Sequence, residues 1–305
     1  MSMFHRKMFR LRLRSRTLVL GERTLVMGVL NVTPDSFSDG GLHAGVEEAV
    51  ARALEIERDG ADILDIGGES ARPGSVGVSA EEELRRVQPV LEALRGKLKI
   101  PISIDTQKSV VALRAALAGA EIINDISALR SDPQLADVAR MHRLPVILMH
   151  MRGTPRTMQK RPFARDVLRD VTAGLRAAVA RARKAGLKRD QLVLDPGIGF
   201  GKSFRQNYEL LAHLDQLARL GYPLLVGTSR KTFIGATVAQ ALLPVPSSAS
   251  GKSTKNSIAP SSERIWGTAA TVTAAILGGA HIVRVHDVAE MVQVARVVDA
   301  IVAEY

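Results

Sequence analysis

Asp105, Asn124 and Asp195 each stand at or just past the end of a short apolar run. Spread over three such runs, they could grip a flat heterocycle with adjacent N–H donors, or bind a metal through carboxylates. Arg72, Arg284 and His286 can donate to phosphate, and arginine does so with a fixed fork. Asn31 can supply an oxygen to Mg²⁺, which prefers oxygen ligands and substrate phosphates to a full protein cage. His150 and His286 are not spaced as a zinc pair, and His150 reads as a satisfied interior histidine. The chain has no cysteine, which removes disulfides, thiolate zinc sites and cysteine nucleophiles together.

Eight apolar runs of strand length present these residues. They cover 25–30, 63–66, 100–104, 121–123, 146–149, 192–194, 224–226 and 282–285. Between them, 46–59, 80–95, 109–118, 133–141, 167–185, 208–220 and 288–303 carry apolar residues at three- and four-residue spacing, as helices with one buried face require. Ser79 ahead of three glutamates, and Asp132 ahead of Pro133, mark helix starts, whereas Gly60, Gly119, Gly186 and Gly221 mark ends. Runs without strict alternation suit a parallel sheet covered on both sides. Eight β–α units predict a closed (β/α)₈ TIM barrel, with an open doubly wound sheet as the alternative. In such a barrel the chemistry sits at the C-terminal ends of the strands, where all eight runs here deliver polar groups.

The stretch 27–41, MGVLNVTPDSFSDGG, is longer than turn chemistry needs and reads as a functional loop after the first strand. The run Gly197-Ile198-Gly199-Phe200-Gly201-Lys202 fails the dinucleotide fingerprint, because lysine stands where its third glycine belongs. Its glycines let backbone approach a ligand, with Phe200 as a stacking wall.

The whole chain has 305 residues, 46% of them apolar, and a net charge of +11. Much of that charge lies in 1–23, where Arg6, Lys7, Arg10, Arg12, Arg14, Arg16 and Arg23 face only Glu22. Residues 9–14 alternate apolar and basic, so they read as a half-buried strand with a solvated basic face. Residues 18–20 and 24–27, turning at Gly21-Glu22, are expected to complete an N-terminal hairpin. Aromatic residues are 4% of the chain and none interleaves with the arginines, so no nucleic-acid partner is expected. No run suits a bilayer or a signal peptide, and a cytoplasmic protein is expected. The division expected is a basic arm or hairpin over 1–23 and one barrel domain over 24–305. The Ser-, Pro- and Lys-rich stretch 240–262 would be a flexible insertion in it.

The segments MGVLNVTPDSFSDGG, DIGGES-RPG, ISIDT, IINDI, LMHM, LDPGIGFGK, GTSRK and IVRVHD follow one another on the eight strands, and with them the chain resembles the dihydropteroate synthases. The resemblance implies a folate-pathway transferase and a target of sulfonamides. It would condense 6-hydroxymethyl-7,8-dihydropterin diphosphate with p-aminobenzoate, giving 7,8-dihydropteroate and pyrophosphate. It also implies that Asp105, Asn124, Asp195 and Lys231 hold the pterin, with Met149 and Phe200 lining the slot. Asn31, Arg72, Arg284 and His286 would hold the diphosphate, with Mg²⁺ as cofactor through Asn31. Phe37, Pro73 and Thr232 would meet p-aminobenzoate, and Asp35 and Asp39 would steady positive charge on the pterin methylene. Asp35, Asp39, Arg72 and Lys231 are the residues implied in catalysis, and a homodimer is implied as the assembly. One departure is Ala71, where the family pattern has threonine. A silent pterin-binding paralogue and a pterin-dependent methyltransferase barrel are the alternatives.

Overall fold

The first two strands form an antiparallel hairpin, β1 (Phe9–Arg12) with β2 (Thr17–Leu20), in the computed structural model, which describes residues 6–33, 41–160, 162, 164–241 and 258–305. The expected pairing of 18–20 with 24–27 is therefore replaced. Residues 25–31 enter the barrel as its first strand, β3 (Leu25–Asn31), where strands on either side satisfy their backbone. The hairpin turns instead at 13–16, with the Leu13 N–H donating to the Arg16 carbonyl at 2.8 Å.

The remaining strands are β4 (Ile63–Gly67), β5 (Ile102–Asp105), β6 (Ile122–Asp125), β7 (Val146–Met149), β8 (Leu192–Asp195), β9 (Leu225–Val226) and β10 (Ile282–Val285). All pair in parallel in the order β8-β7-β6-β5-β4-β3-β10-β9. A parallel bridge between Leu194 and Leu224 joins the two outer strands, so the sheet closes into a (β/α)₈ barrel.

Ten helices among the described residues cover it: α1 (Gly41–Arg58), α2 (Ala80–Leu94), α3 (Ser109–Ala118), α4 (Leu135–Met141), α5 (Val167–Lys184), α6 (Phe204–Ala212), α7 (Leu214–Ala218), α8 (Thr232–Ala241), α9 (Ile265–Leu277) and α10 (Val288–Ala303). Their starts follow local chemistry. The Ser79 hydroxyl accepts the Glu82 N–H at 3.1 Å, and Ser203 with Gln206 forms a reciprocal capping box. The single helix expected over 208–220 is two, α6 and α7, because His213 leaves the helical basin at φ −125° and ψ 27°. The break lets Leu210 and Leu211 on one side, and Leu214 and Leu217 on the other, all reach the core. No helix of the described residues is long and apolar enough to cross a membrane.

Alternation along the strands sorts side chains into two sets. Leu64, Ile66, Ile123, Leu148, Leu194 and Val283 face out and pack under the helices. At β3 that packing is close enough that a Cβ on Gly28 would lie 2.4 Å from Ile56 Cγ2 of α1. The inward set begins with Leu25, Met27, Ile63, Ile122, Ile147, Val193, Leu225 and Ile282. Leu11 and Leu20 of the hairpin join this cluster, so the hairpin plugs the N-terminal mouth of the barrel. Arg6 holds the segment leading into it. Its guanidinium donates to Thr24 Oγ1 at 2.6 Å and to Asp299 of α10 at 2.5 Å.

Leu11→Ala should expose that plug. The side chain is 2% exposed, so its truncation is expected to cost about 3 kcal/mol, within the range for buried leucines. A urea-denaturation midpoint unchanged from the wild type would mean that the hairpin is not packed as described.

Candidate functional site

One step above the apolar floor, the same alternation brings a polar layer into the barrel. Two residues past Ile63 stands Asp65; past Ile122, Asn124; past Ile147, Met149; past Val193, Asp195; past Ile282, Arg284. Asp105 follows Ser103 in the same phase, and the register sets it against Asn124 on one side and Gly67 on the other. Asp125 points the other way, where its carboxylate accepts the N–H groups of Ser127 and Leu129 and shapes the loop after β6.

The Arg284 guanidinium organises this layer. Its Nε donates to Asp65 Oδ2 at 2.6 Å and its Nη2 to Asp105 Oδ2 at 2.8 Å. Asp65 Oδ2 also accepts from Asn124 Nδ2 at 2.9 Å. The Asn124 amide is thereby oriented, leaving its Oδ1 as the group with no partner among the described residues. Arg284 keeps three of its five N–H donors for other partners. Burial pushes the Asp105 carboxyl up to about 7, opposed by Arg284 and reinforced by Asp65. Burial also raises Asp195, whose Oδ1 accepts the Gly197 N–H at 2.7 Å.

Asp65 is the residue that reading the sequence missed. Inside an apolar run it looked like an interruption, yet its phase with Asn124, Asp195 and Arg284 was the available signal. Fully buried, it leaves Oδ1 without a hydrogen-bond partner among the described residues.

The loop after β8 forms one wall. Lys202 is buried, and its Nζ donates to the carbonyls of Gly197 at 2.8 Å, Phe200 at 3.0 Å and His150 at 3.2 Å. Gly197 sits at φ +64°, and a Cβ there would lie 2.0 Å from the His150 carbonyl oxygen, so backbone has to pass where no side chain fits. His150 is the satisfied interior histidine expected. Its Nδ1 lies 3.1 Å from Lys202 Nζ, and burial with the neighbouring cations pulls its pKa down to about 3. Lys231 reaches the same wall, donating to the Ile198 carbonyl at 2.6 Å with its amine 3.9 Å from the centre of the Phe200 ring. Burial lowers its pKa to about 7, against the pull of Asp195. Met149, with Ile126, Met151 and Met158, makes an apolar patch against which Phe200 and Ala71 pack.

Beside this slot a cavity of about 300 Å³ is lined by Val29, Leu30, Asn31, Glu48, Arg52, Arg230 and His286. Arg52 donates to the His286 carbonyl at 3.2 Å, and Arg230 pairs with Asp287. His286 Nδ1 lies 3.1 Å from Ser229 Oγ, and burial beside Arg284 and Arg230 holds its pKa down at about 3. Among the described residues no group of three or more His, Asp or Glu converges as a metal cage. Asn31 and Glu48 instead offer isolated oxygens on one cavity, the donor set of a cation that takes its other ligands from phosphate and water.

Asn31 and His286 are thus brought together, and Arg284 lies one alternation deeper, already engaged with carboxylates. Arg72 and Pro73 are exposed on the second loop. That loop is tied down by Lys108, which pairs with both Glu69 and the buried Glu83, and by the Gly74 N–H, which donates to the Pro155 carbonyl at 3.0 Å. Thr232 is exposed at the first turn of α8. Asp35, Phe37 and Asp39 lie outside the described residues.

Residues 27–286 match the model of the pterin binding enzyme family. A dihydropteroate synthase of Synechocystis sp. is 48% identical over 281 residues, which span 92% of this chain and 91% of that protein. The Xanthomonas albilineans dihydropteroate synthase solved with 4-aminobenzoic acid superposes with a TM-score of 0.84 at 43% identity, over 97% of this chain and 98% of that one. The Yersinia pestis dihydropteroate synthase in complex with a sulfonamide drug gives 0.85 at 41% identity, over 97% and 100%.

Asp65→Ala removes one arm of the central network and leaves Arg284 and the Asn124 amide underpaired. A loss of about 3–5 kcal/mol in unfolding free energy is expected, as when one partner of a buried pair is removed. A loss below about 1 kcal/mol, on the scale of an exposed ion pair, would contradict the buried network.

Proposed function

The chain belongs to the pterin binding enzyme family and acts as a dihydropteroate synthase, a transferase, and on that premise we propose which substrates its residues hold. The reaction is condensation of 6-hydroxymethyl-7,8-dihydropterin diphosphate with p-aminobenzoate, releasing pyrophosphate. The observation that carries the reading is the buried layer in which Arg284 bridges Asp65 and Asp105, with Asn124 and Asp195 at the same height. A pterin presents adjacent N–H donors, and Asp105, Asp195 and Asn124 Oδ1 are acceptors set around one slot. Lys231 supplies a donor at its edge, and Met149 and Phe200 face the ring.

The diphosphate fits the neighbouring cavity, with Asn31 and His286 on its wall, the free donors of Arg284 below and Arg72 from the second loop. Mg²⁺ would be held there by the Asn31 amide oxygen, and when bound it offsets phosphate charge. Phe37, Pro73 and Thr232 would receive p-aminobenzoate, whose carboxylate suits the N–H groups at the first turn of α8. The Yersinia relative is in complex with a sulfonamide drug, which supports this chain as a target of such drugs.

The bond from the pterin methylene carbon to the diphosphate oxygen breaks first, and its electron pair leaves on pyrophosphate. The amine nitrogen then bonds to that carbon and gives up a proton. Cationic donors around the leaving group and a site closed to water are what such a path needs, and Asp35 and Asp39 would steady the cation. A homodimer in the cytoplasm belongs to the same reading.

Mixing the diphosphate substrate and p-aminobenzoate with the protein and Mg²⁺ should release pyrophosphate at steady state, and omitting Mg²⁺ should slow it. Pterin binding without pyrophosphate release would leave the silent paralogue. The pH dependence is also set. Asp105 must be ionised to accept pterin N–H groups, so affinity falls as pH drops below about 7. Lys231 must be protonated to donate, so affinity falls again above about 7. A titration of pterin affinity should therefore be bell-shaped, with Asp105→Asn weakening the acidic limb, to which the raised Asp195 also contributes, and Lys231→Met removing the alkaline one. A flat profile in the wild type would reject these roles.

A further inference from the structure

The hydroxyl of Ser229 sits against His286 in a way that the binding roles above do not use. Ser229 is buried, and its Oγ lies 3.1 Å from the backbone nitrogen of His286 and 3.1 Å from the Nδ1 of the same residue. The backbone N–H can only donate, so Oγ accepts it. A hydroxyl has one proton to give, and no acceptor for it other than His286 Nδ1 is within reach among the described residues. If Nδ1 carried the ring proton, Oγ would accept twice and its own O–H would be buried without a partner, which is costly. If Nδ1 is bare, the hydroxyl donates to it while accepting the His286 N–H, and both contacts of Oγ are satisfied.

We propose that Ser229 is a positioning residue that locks His286 as the Nε2–H tautomer, so that the ring faces the cavity beside Asn31 as a neutral hydrogen-bond donor. Nε2 has no partner among the described residues, and the ring lines the cavity. A neutral donor there binds an anion without adding a fourth positive charge to Arg52, Arg230 and Arg284. The backbone bond from His286 to the same oxygen fixes the ring's pivot, so one hydroxyl sets both orientation and proton position. The inference of what the Nε2–H meets rests on the diphosphate reading; the tautomer itself does not.

The test separates the two. Two-bond ¹H–¹⁵N spectra of the ligand-free protein, with the His286 signals identified by their loss in His286→Gln, should have the pattern of a ring protonated on Nε2. Ser229→Ala should convert it to Nδ1–H or a mixture, and Ser229→Thr, which keeps the hydroxyl, should restore it. Calorimetry with inorganic pyrophosphate should then find binding to Ser229→Ala weakened about tenfold, with free pterin binding unchanged and Ser229→Thr close to the wild type. A wild-type ring protonated on Nδ1, or a tautomer unchanged in Ser229→Ala, overturns the proposal, as does loss of pterin and pyrophosphate binding together. If the tautomer responds as stated but the wild type does not bind pyrophosphate, the diphosphate reading fails while the role of Ser229 in setting the ring stands.

Discussion

Everything above the barrel floor depends on one guanidinium. Arg284 joins Asp65 to Asp105, and through Asp65 it reaches Asn124. Three carboxylates and a carboxamide inside a barrel are expensive to desolvate, and without a cation between them the acids would hold protons and lose their acceptor strength. A layer of packed aliphatic residues would be as stable or more so. Stability therefore does not account for the layer. What the ion network achieves is to hold acceptors at fixed positions in the low-dielectric barrel interior, where each hydrogen bond to a ligand counts for more than it would in water.

The balance within the layer is fine. Arg284 lowers Asp105 while burial and Asp65 raise it, and Lys231 is lowered by burial while Asp195 raises it. Each group is driven toward neutrality by its surroundings and back toward charge by its neighbour. The wall opposite is held in the same manner: buried Lys202 gathers the carbonyls of Gly197 and Phe200 from the glycine-rich turn and that of His150 from the loop after β7. A lysine at the position where a dinucleotide loop has glycine is thus an internal tie for backbone, which is why the fingerprint fails there and the loop remains compact.

Strand positions and the fold were legible because hydrophobic periodicity is a local property. The runs 146–149 and 282–285 and the helix 288–303 match the observed elements to the residue. Residues 24–27 were misread as hairpin because alternation and turn signals do not reveal which partner a strand prefers; here two flanking parallel strands took it into the barrel. Asp65 escaped notice because its meaning lies in phase with residues on other strands. Asp105 and Asn124 were visible as strand-end polar residues, but the link between Arg284 and the acids was not. It spans 219 and 179 residues of separation, brought together because β3 pairs with both β4 and β10. The exposed Arg72 and Pro73 were legible as loop residues, whereas the ties of their loop through Lys108 to Glu69 and Glu83 depend on tertiary packing alone.

The hairpin beneath the barrel has a consequence for traffic. With Leu11 and Leu20 filling the lower mouth, the polar layer lies at the bottom of a blind well that opens only toward the loops. In such a well, depth becomes sequence in time. A molecule seated on the carboxylates must arrive before anything lodged nearer the rim, and it leaves only after the rim has cleared.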